Sequence, residues 1–225
     1  MIEEILPACV VAVEAGDDRA EAAPYPEEEA LLGDAVEKRR REFATGRMCA
    51  RSALQKLGFP ASAILRGPRG EPLWPAGAVG SITHCDGYRA AAVARSSEIV
   101  TVGIDAEPHA ELPEGVYEQI ARPEELVLLR RLRSEWTAVH WDRLLFSVKE
   151  SVYKAWFPLA ARWLGFEDVS VSLEAGTHKF VARLLAPGPM PALADGPPDR
   201  FFGGWTIGEG LVLTAVVAAA RAPTT

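Results

Sequence analysis

From Glu98 to Glu107 the chain reads EIVTVGIDAE, and no other stretch constrains the fold as strongly. The run Ile99, Val100, Thr101, Val102 is β-branched throughout and predicts a strand that continues through Ile104. Side chains two apart on a strand share a face, so Asp105 and Glu107 stand side by side at its end. Two carboxylates so placed repel one another unless positive charge is drawn between them. Either the strand ends in water and both acids are solvated, or the fold must bring a cation to this point.

A second stretch points the same way. WDRLLFSVKESVYKAWF, residues 141–157, predicts a long helix that Pro158 is expected to end. Glu150 and Lys154 are four residues apart and share a helix face. An ordinary surface pair of this kind contributes only about 0.2–1 kcal/mol. Here Phe146, Val148, Val152, Tyr153, Trp156 and Phe157 surround it with apolar bulk, so the pair is expected to be partly buried, where charge needs a purpose. Asp105, Glu107 and Glu150 together supply three hard oxygen donors, which suit Mg²⁺ rather than Zn²⁺. Mg²⁺ binds through few carboxylates and the phosphates of a substrate, so such a set predicts a phosphorylated ligand. Cations to receive it are present: Arg39, Arg40, Arg41, Arg47 and Arg51 on one predicted helix, Arg66 and Arg69 in a Gly/Pro-rich segment, and His84 after Thr83. A solvated helix face accounts for the arginine run taken alone. Only its convergence with the acids points to a polyphosphate.

The remaining pattern reads as α+β. ACVVAVEA predicts a first strand, and residues 26–57 read as helical, with Gly33 and Gly46 as interruptions and Gly58 and Pro60 closing the segment. RGPRGEPLWPAG is a loop or irregular hairpin, followed by strands VGSITHC and RAAAVARS around the turn DGY. Beyond the acids come the helix PEELVLLRRLRSEW and three strand candidates, EDVSVSLEA, HKFVARLLA and GWTIGEGLVLTAVVAA. APGPMPALADGPPDR, between the last two, reads as a long surface loop. Each half is roughly a helix with antiparallel strands, which suggests two similar lobes.

Composition narrows the function. At 225 residues and 48% hydrophobic the chain can bury one sizeable core or two small ones, and a net charge of −7 argues against nucleic acid as partner. Three cysteines without metal-ligand spacing read as reduced thiols, hence a cytoplasmic protein. A nucleophilic Cys85 beside His84 is disfavoured, because adjacent side chains seldom aim at each other. The acidic start MIEEILP lacks the basic opening of a secretory signal, and the apolar stretch 211–220 is about half the length that spans a bilayer, so no membrane is expected.

At this point the residues match a family. GRMCARSALQKLG, RGPRGEPLWPAGAVGSITHCDGY, VGIDAEPH and FSVKESVYKAWFPLAARWLGFEDV resemble the 4′-phosphopantetheinyl transferases, most nearly the enterobactin-type, actinobacterial branch of the large Sfp-like class. The resemblance runs from about Arg39 to Leu213 in the same order. It implies a monomeric α+β fold with pseudo-two-fold symmetry. Residues 1–103 would form the lobe that binds the nucleotide of coenzyme A, residues 104–225 the lobe of the metal and catalytic helix, with the active site in the cleft between them. It also implies transfer of 4′-phosphopantetheine from coenzyme A to a serine of an apo acyl, polyketide or peptidyl carrier protein, releasing 3′,5′-ADP. Asp105, Glu107 and Glu150 match the Mg²⁺ ligands, with Mn²⁺ as a substitute ion. Lys154 matches the lysine at the reacting phosphate, and His84 the residue at the 3′-phosphate. Arg39, Arg47, the loop Arg66, Gly67, Pro68, Arg69, and Thr83 match positions lining the nucleotide; Asp105, Ala106 and Leu164 are further expected contacts. Relatives often carry lysine where this chain has Arg66 and Arg69, which keeps the charge and alters the geometry. Glu150 fits both a general base and a metal ligand alone. Val127 to Arg133, with three arginines, is a candidate docking patch for an acidic carrier, and a solvated helix face explains it equally. Two other readings use the same residues: a metal-dependent phosphohydrolase or nucleotidyl transferase, and a non-catalytic coenzyme A-binding scaffold.

Overall fold

The computed structural model describes residues 1–185 and 199–219. Among the described residues ten strands are arranged around two long helices: β1 Val11–Ala15, β2 Leu65–Arg66, β3 Pro72–Leu73, β4 Ala78–Cys85, β5 Tyr88–Arg95, β6 Ile99–Pro108, β7 Val169–Glu174, β8 Lys179–Leu184, β9 Arg200–Gly208 and β10 Leu211–Ala219. The helices are α1 Pro26–Glu29, α2 Glu37–Lys56, α3 Val116–Ile120, α4 Pro123–Glu135 and α5 Trp141–Ala160. One antiparallel sheet has the order β1-β5-β4 and another the order β6-β10-β9-β8-β7; β2 and β3 form a short hairpin. The chain mixes helices with antiparallel strands, as the α+β reading of the pattern expects. β6 runs across position 103, so the expected division at 103/104 passes through a strand.

α2 lies on the smaller sheet and buries Phe43, Ala44, Cys49, Ala50, Ala53 and Leu54 at helical spacing. Gly46 does not interrupt it. A Cβ there would come within 3.3 Å of Ile82 Cγ2, so the missing side chain lets the helix approach β4. The break falls earlier, at Gly33, whose φ of +46° ends α1 and its following turns. α5 lies on the larger sheet with Trp141, Leu144, Leu145, Val148, Val152, Ala155 and Trp156 buried. Each such large side chain contributes about 1.5–3 kcal/mol on burial. The approach to β6 is closer still: a Cβ on Gly103 would stand 2.0 Å from the Ser151 carbonyl oxygen.

Two boundaries differ from the sequence reading. Pro158 lies inside α5, which continues to Ala160; the buried Phe157 and Ala160 hold this last turn although the proline removes one donor. GWTIGEGLVLTAVVAA is two strands, not one. Glu209 and Gly210, both at positive φ (51° and 76°), make a two-residue turn that pairs Gly208 with Leu211. The proline-rich segment predicted as a surface loop lies almost wholly outside the described residues. Among the described residues no helix is long and apolar enough to cross a membrane.

The two sheets meet where β4 runs beside β6, and side chains make the seam. Ile104 N–H donates to Ser81 Oγ (3.1 Å) and Ala106 N–H to Thr83 Oγ1 (3.1 Å). The acidic strand end, the strand of His84 and the face of α5 bearing Glu150 are thereby brought together.

Candidate active site

Lys154 stands at the centre of this seam. Its Nζ donates to Asp105 Oδ1 (2.7 Å), to the Ile104 carbonyl (3.2 Å) and to Thr83 Oγ1 (3.3 Å). Thr83 in turn donates to Asp105 Oδ1 (3.3 Å). β4 thus supplies one group, β6 two and α5 one to a single knot, in which Thr83 and Asp105 are buried. Glu150, four residues before Lys154, makes no ion pair with it; Lys154 reaches across to Asp105 instead. Glu107 pairs with Arg143, Nη1 to Oε2 at 2.9 Å.

The three carboxylates feel one another. Burial raises the Glu107 carboxyl, and neighbouring Asp105 raises it further, against Arg143 and Lys154. Glu150 is raised by burial and then by Asp105 and Glu107, against Lys154. Asp105 Oδ2 is buried without a hydrogen-bond partner. An orphaned carboxylate oxygen beside two raised acids is a donor set that a hard dication would satisfy. Yet among the described residues no group of three or more His, Cys, Asp or Glu is placed so that it could hold a metal ion. The expected three-acid set is therefore near but not closed, and Lys154 and Arg143 occupy two of the acids. Mg²⁺ sites that share their coordination with substrate phosphates need no preformed protein cage, so the donor chemistry fits while the cage is incomplete.

Two cavities open on either side of Lys154. One, about 200 Å³, is rich in positive charge: Arg39, Arg47, Arg66 and Lys154 line it with His84 and one acid, Glu42, which pairs with Arg39 at 3.5 Å. Arg47 and Arg66 lie against the Phe43 ring, at 4.6 and 4.9 Å from its centroid. Burial lowers the Arg47 guanidinium to about 10, and the nearby Arg66, Arg51 and Arg39 add to this. Burial and then Arg39 hold the His84 imidazole down at about 4, and Arg39 Nη1 contacts its Nε2. Arginines gathered this closely suit a polyanion. The other cavity, about 570 Å³, is mostly apolar, with Leu73, Trp74, Tyr153 and Phe157 in its wall and Glu150 and Lys154 at its edge. Trp74 Nε1 donates to the Gly80 carbonyl (3.0 Å), which fixes the indole as a wall.

Other residues singled out in the sequence lie elsewhere. Arg51 is tied to Glu28 (2.5 Å) and the Ala23 carbonyl (2.8 Å), Arg40 to the Ala35 carbonyl (3.1 Å), and Arg41 to Glu37 (3.3 Å) and Asp18 (3.6 Å). These three serve the fold. Arg69 lines the apolar cavity rather than the cationic one. Gly67 and Pro68 form the tip of the β2–β3 hairpin, where Gly67 N–H donates to the Glu71 carbonyl (2.8 Å). The Ala106 amide is taken by Thr83, and Leu164 is buried in the larger core. Burial, with Glu107 and Asp105, pushes the Cys85 thiol up to about 12, which removes it as a nucleophile. In the 127–133 patch Arg131 pairs with Glu135 (4.0 Å) and Arg133 with Asp142 (3.4 Å). Sequence reasoning missed Arg143, Phe43, Trp74 and the placement of Tyr153 in a cavity wall. For Arg143 a signal existed: it precedes Glu150 by seven residues, two helical turns on the same face.

A mixed α/β chain here sets an arginine-lined cavity against an apolar one, with Lys154 in the wall of both. The particular family follows from comparison. Residues 27–94 match the sequence model of the 4′-phosphopantetheinyl transferase N-terminal domain, and residues 101–206 that of the 4′-phosphopantetheinyl transferase superfamily. The chain is 49% identical to the 4′-phosphopantetheinyl transferase Npt of Nocardia iowensis, over 97% of this chain and 100% of that one. It is 47% identical to the 4′-phosphopantetheinyl transferase Svp of Streptomyces mobaraensis, over 100% of this chain and 92% of that one. It is 32% identical to the enterobactin synthase component D of Salmonella typhimurium, over 85% of this chain and 77% of that one. The chain belongs to the 4′-phosphopantetheinyl transferase superfamily and is an enzyme of that type.

Proposed function

We propose that the protein transfers 4′-phosphopantetheine from coenzyme A to a serine of apo acyl, polyketide or peptidyl carrier proteins, releasing 3′,5′-ADP in a Mg²⁺-dependent reaction. One observation carries this reading: Lys154 lines both a cationic and an apolar cavity, so a ligand with a phosphorylated nucleotide at one end and a neutral arm at the other fits across it. Arg39, Arg47, Arg66 and His84 receive the nucleotide phosphates, Thr83 and Asp105 orient Lys154, and Lys154 holds the pyrophosphate. The apolar cavity takes the pantetheine arm and keeps water from it. When bound at Asp105, Glu107 and Glu150, Mg²⁺, or Mn²⁺ in its place, supplies charge that offsets the developing negative charge on the phosphates. Glu150 accepts the proton of the carrier serine at its carboxylate as the serine oxygen attacks the β-phosphorus and the bond to 3′,5′-ADP breaks. Its place with Lys154 at the edge of the apolar cavity supports the role of base.

Residues 1–103 act as the nucleotide lobe and residues 104–225 as the metal and catalytic lobe, two similar halves with the site in the cleft between them. A monomer suffices, because one chain supplies Thr83, Asp105, Glu107, Glu150 and Lys154. The three cysteines, free in the structure, support a reducing cytoplasmic setting. Arg130 and its neighbours remain the candidate docking patch for a carrier, with two of its three arginines already paired to acids.

The test is incubation with coenzyme A, Mg²⁺ and apo carriers of each kind, followed by mass spectrometry of the carrier. The expected result is an added phosphopantetheine on the carrier serine, lost with EDTA. Hydrolysis of coenzyme A with no adduct on any carrier would put the phosphohydrolase reading in its place.

A further inference from the structure

The first turn of α5 grips the segment that leaves β6 at three successive points. His140 N–H donates to His109 Nε2 (3.2 Å), and Leu112 N–H to Asp142 Oδ2 (2.9 Å). Between them Arg143 spreads its fork: Nη1 to Glu107 Oε2 (2.9 Å), Nε to the Ala110 carbonyl (3.1 Å) and Nη2 to the Glu111 carbonyl (2.9 Å). Both side chains of the Arg143–Glu107 pair are largely buried, at 15% and 21% exposure. Glu107 is the last residue but one of β6, so backbone pairing alone does not fix its three-bond side chain. A planar guanidinium held by two carbonyls does fix it.

We propose that Arg143 is a positioning residue for the divalent cation: it holds Glu107 by Oε2 and leaves Oε1 to the metal. This rests on the cation reading given above. Because Arg143 and Glu150 lie two turns apart on α5, one rigid element sets the position of Glu107 through Arg143 and carries Glu150 itself. The spacing of the two acids is thereby decided by a helix rather than by the strand end.

The simplest competing role, a counter-ion that neutralises Glu107, makes the opposite prediction. Deleting a positive charge beside a dication site tightens cation binding by Coulomb's law. Deleting an orienting partner of a ligand weakens it, typically by about 10- to 100-fold. The experiment is a titration of the full-length protein with Mn²⁺ in saturating coenzyme A, following the electron paramagnetic resonance of free Mn²⁺, with the thermal midpoint of each variant measured without metal. Arg143→Met should weaken Mn²⁺ binding about 10- to 100-fold. Arg143→Lys, which can meet Glu107 but cannot fork onto both carbonyls, should fall between. Glu107→Gln should weaken binding, and adding Arg143→Met to it should weaken binding no further. Equal or tighter binding in Arg143→Met overturns the proposal, as does simple additivity in the double variant. If Arg143→Met does not fold, wild-type affinity in Arg143→Lys overturns it equally. Wild-type protein that binds no Mn²⁺ with coenzyme A present, or Glu107→Gln that binds as wild type, overturns the cation reading itself. The two failures are thus separable.

Discussion

Lys154 and Glu150 share a helix face, yet Lys154 pairs with Asp105 and not with Glu150, as the proposed role of Glu150 as base would need. Lys154 pairs with Asp105 at 2.7 Å, while burial, and after it Asp105 and Glu107, raise the Glu150 carboxyl against Lys154. A carboxylate left with proton affinity can serve as base; one paired to the lysine could not. Glu150→Gln should therefore lower the transfer rate about 10²- to 10⁴-fold, measured as holo-carrier formed per minute. A variant within fivefold of wild type would leave Glu150 with no role as base. His84 contributes one part of the pH dependence of stability. Its imidazole, ordinarily at 6.5, is held near 4 by burial and Arg39, so the unfolded chain binds the proton more readily. Stability is then complete above pH 6.5 and declines as pH falls towards 4. The side chain is 42% exposed, and solvent screening keeps the effect modest. The thermal midpoint of the ligand-free protein should fall over that window, and His84→Asn should flatten the fall.

At the scale of elements, α5 is held from both sides. Its inner face buries tryptophans and leucines against the larger sheet, and Gly103 admits the helix to van der Waals contact with β6. Its flank is secured by Lys149, whose Nζ donates to Glu125 (2.7 Å) and to the carbonyls of Ile120 (2.8 Å) and Phe166 (2.8 Å), with both charged side chains 1% exposed. Glu125 also accepts from Arg122 N–H and Val171 N–H, both at 2.7 Å. This buried pair joins α3, α4, α5 and β7. Lys149→Met leaves the Glu125 carboxylate uncompensated and should cost about 3–5 kcal/mol in urea unfolding. A loss below about 1 kcal/mol would show that the pair is dispensable. Lys149, the neighbour of Glu150 in sequence, thus belongs to the scaffold and not to the site.

For the whole molecule the proposed site lies at the seam between the sheets, so ligands should tighten the fold there. A ligand that binds only the folded state at about 100 times its Kd adds about 2.7 kcal/mol. On the proposed function, coenzyme A and Mg²⁺ together should raise the thermal midpoint more than the sum of either alone, since the phosphates and the carboxylates would share the cation. Equal midpoints with coenzyme A, with and without Mg²⁺, would remove the metal from the reading. The local elements that frame the seam were legible in sequence: β6 from its β-branched run, α5 from its apolar spacing, β4 and β5 from the strands flanking a Gly turn. The Glu209–Gly210 turn was missed because it departs from the usual Asn-Gly or Asp-Gly of such turns, so β9 and β10 ran together.

By itself the sequence determined the residue types and their local spacing: the two acids on one strand face, the Glu–Lys helix face, the clustered arginines and the mixed α/β class. These follow from periodicity, which is a property of neighbours along the chain. Only the tertiary structure decided which charges meet. It sent Lys154 to Asp105 and Arg143 to Glu107, sorted Arg39, Arg47 and Arg66 into the cavity, and tied Arg40, Arg41 and Arg51 into the fold. The reason is that electrostatic partners are chosen by distance in space, and distance across the β4–β6 seam is set by Ser81, Thr83 and the close fit of α5 at Gly103, none of which has a period to read.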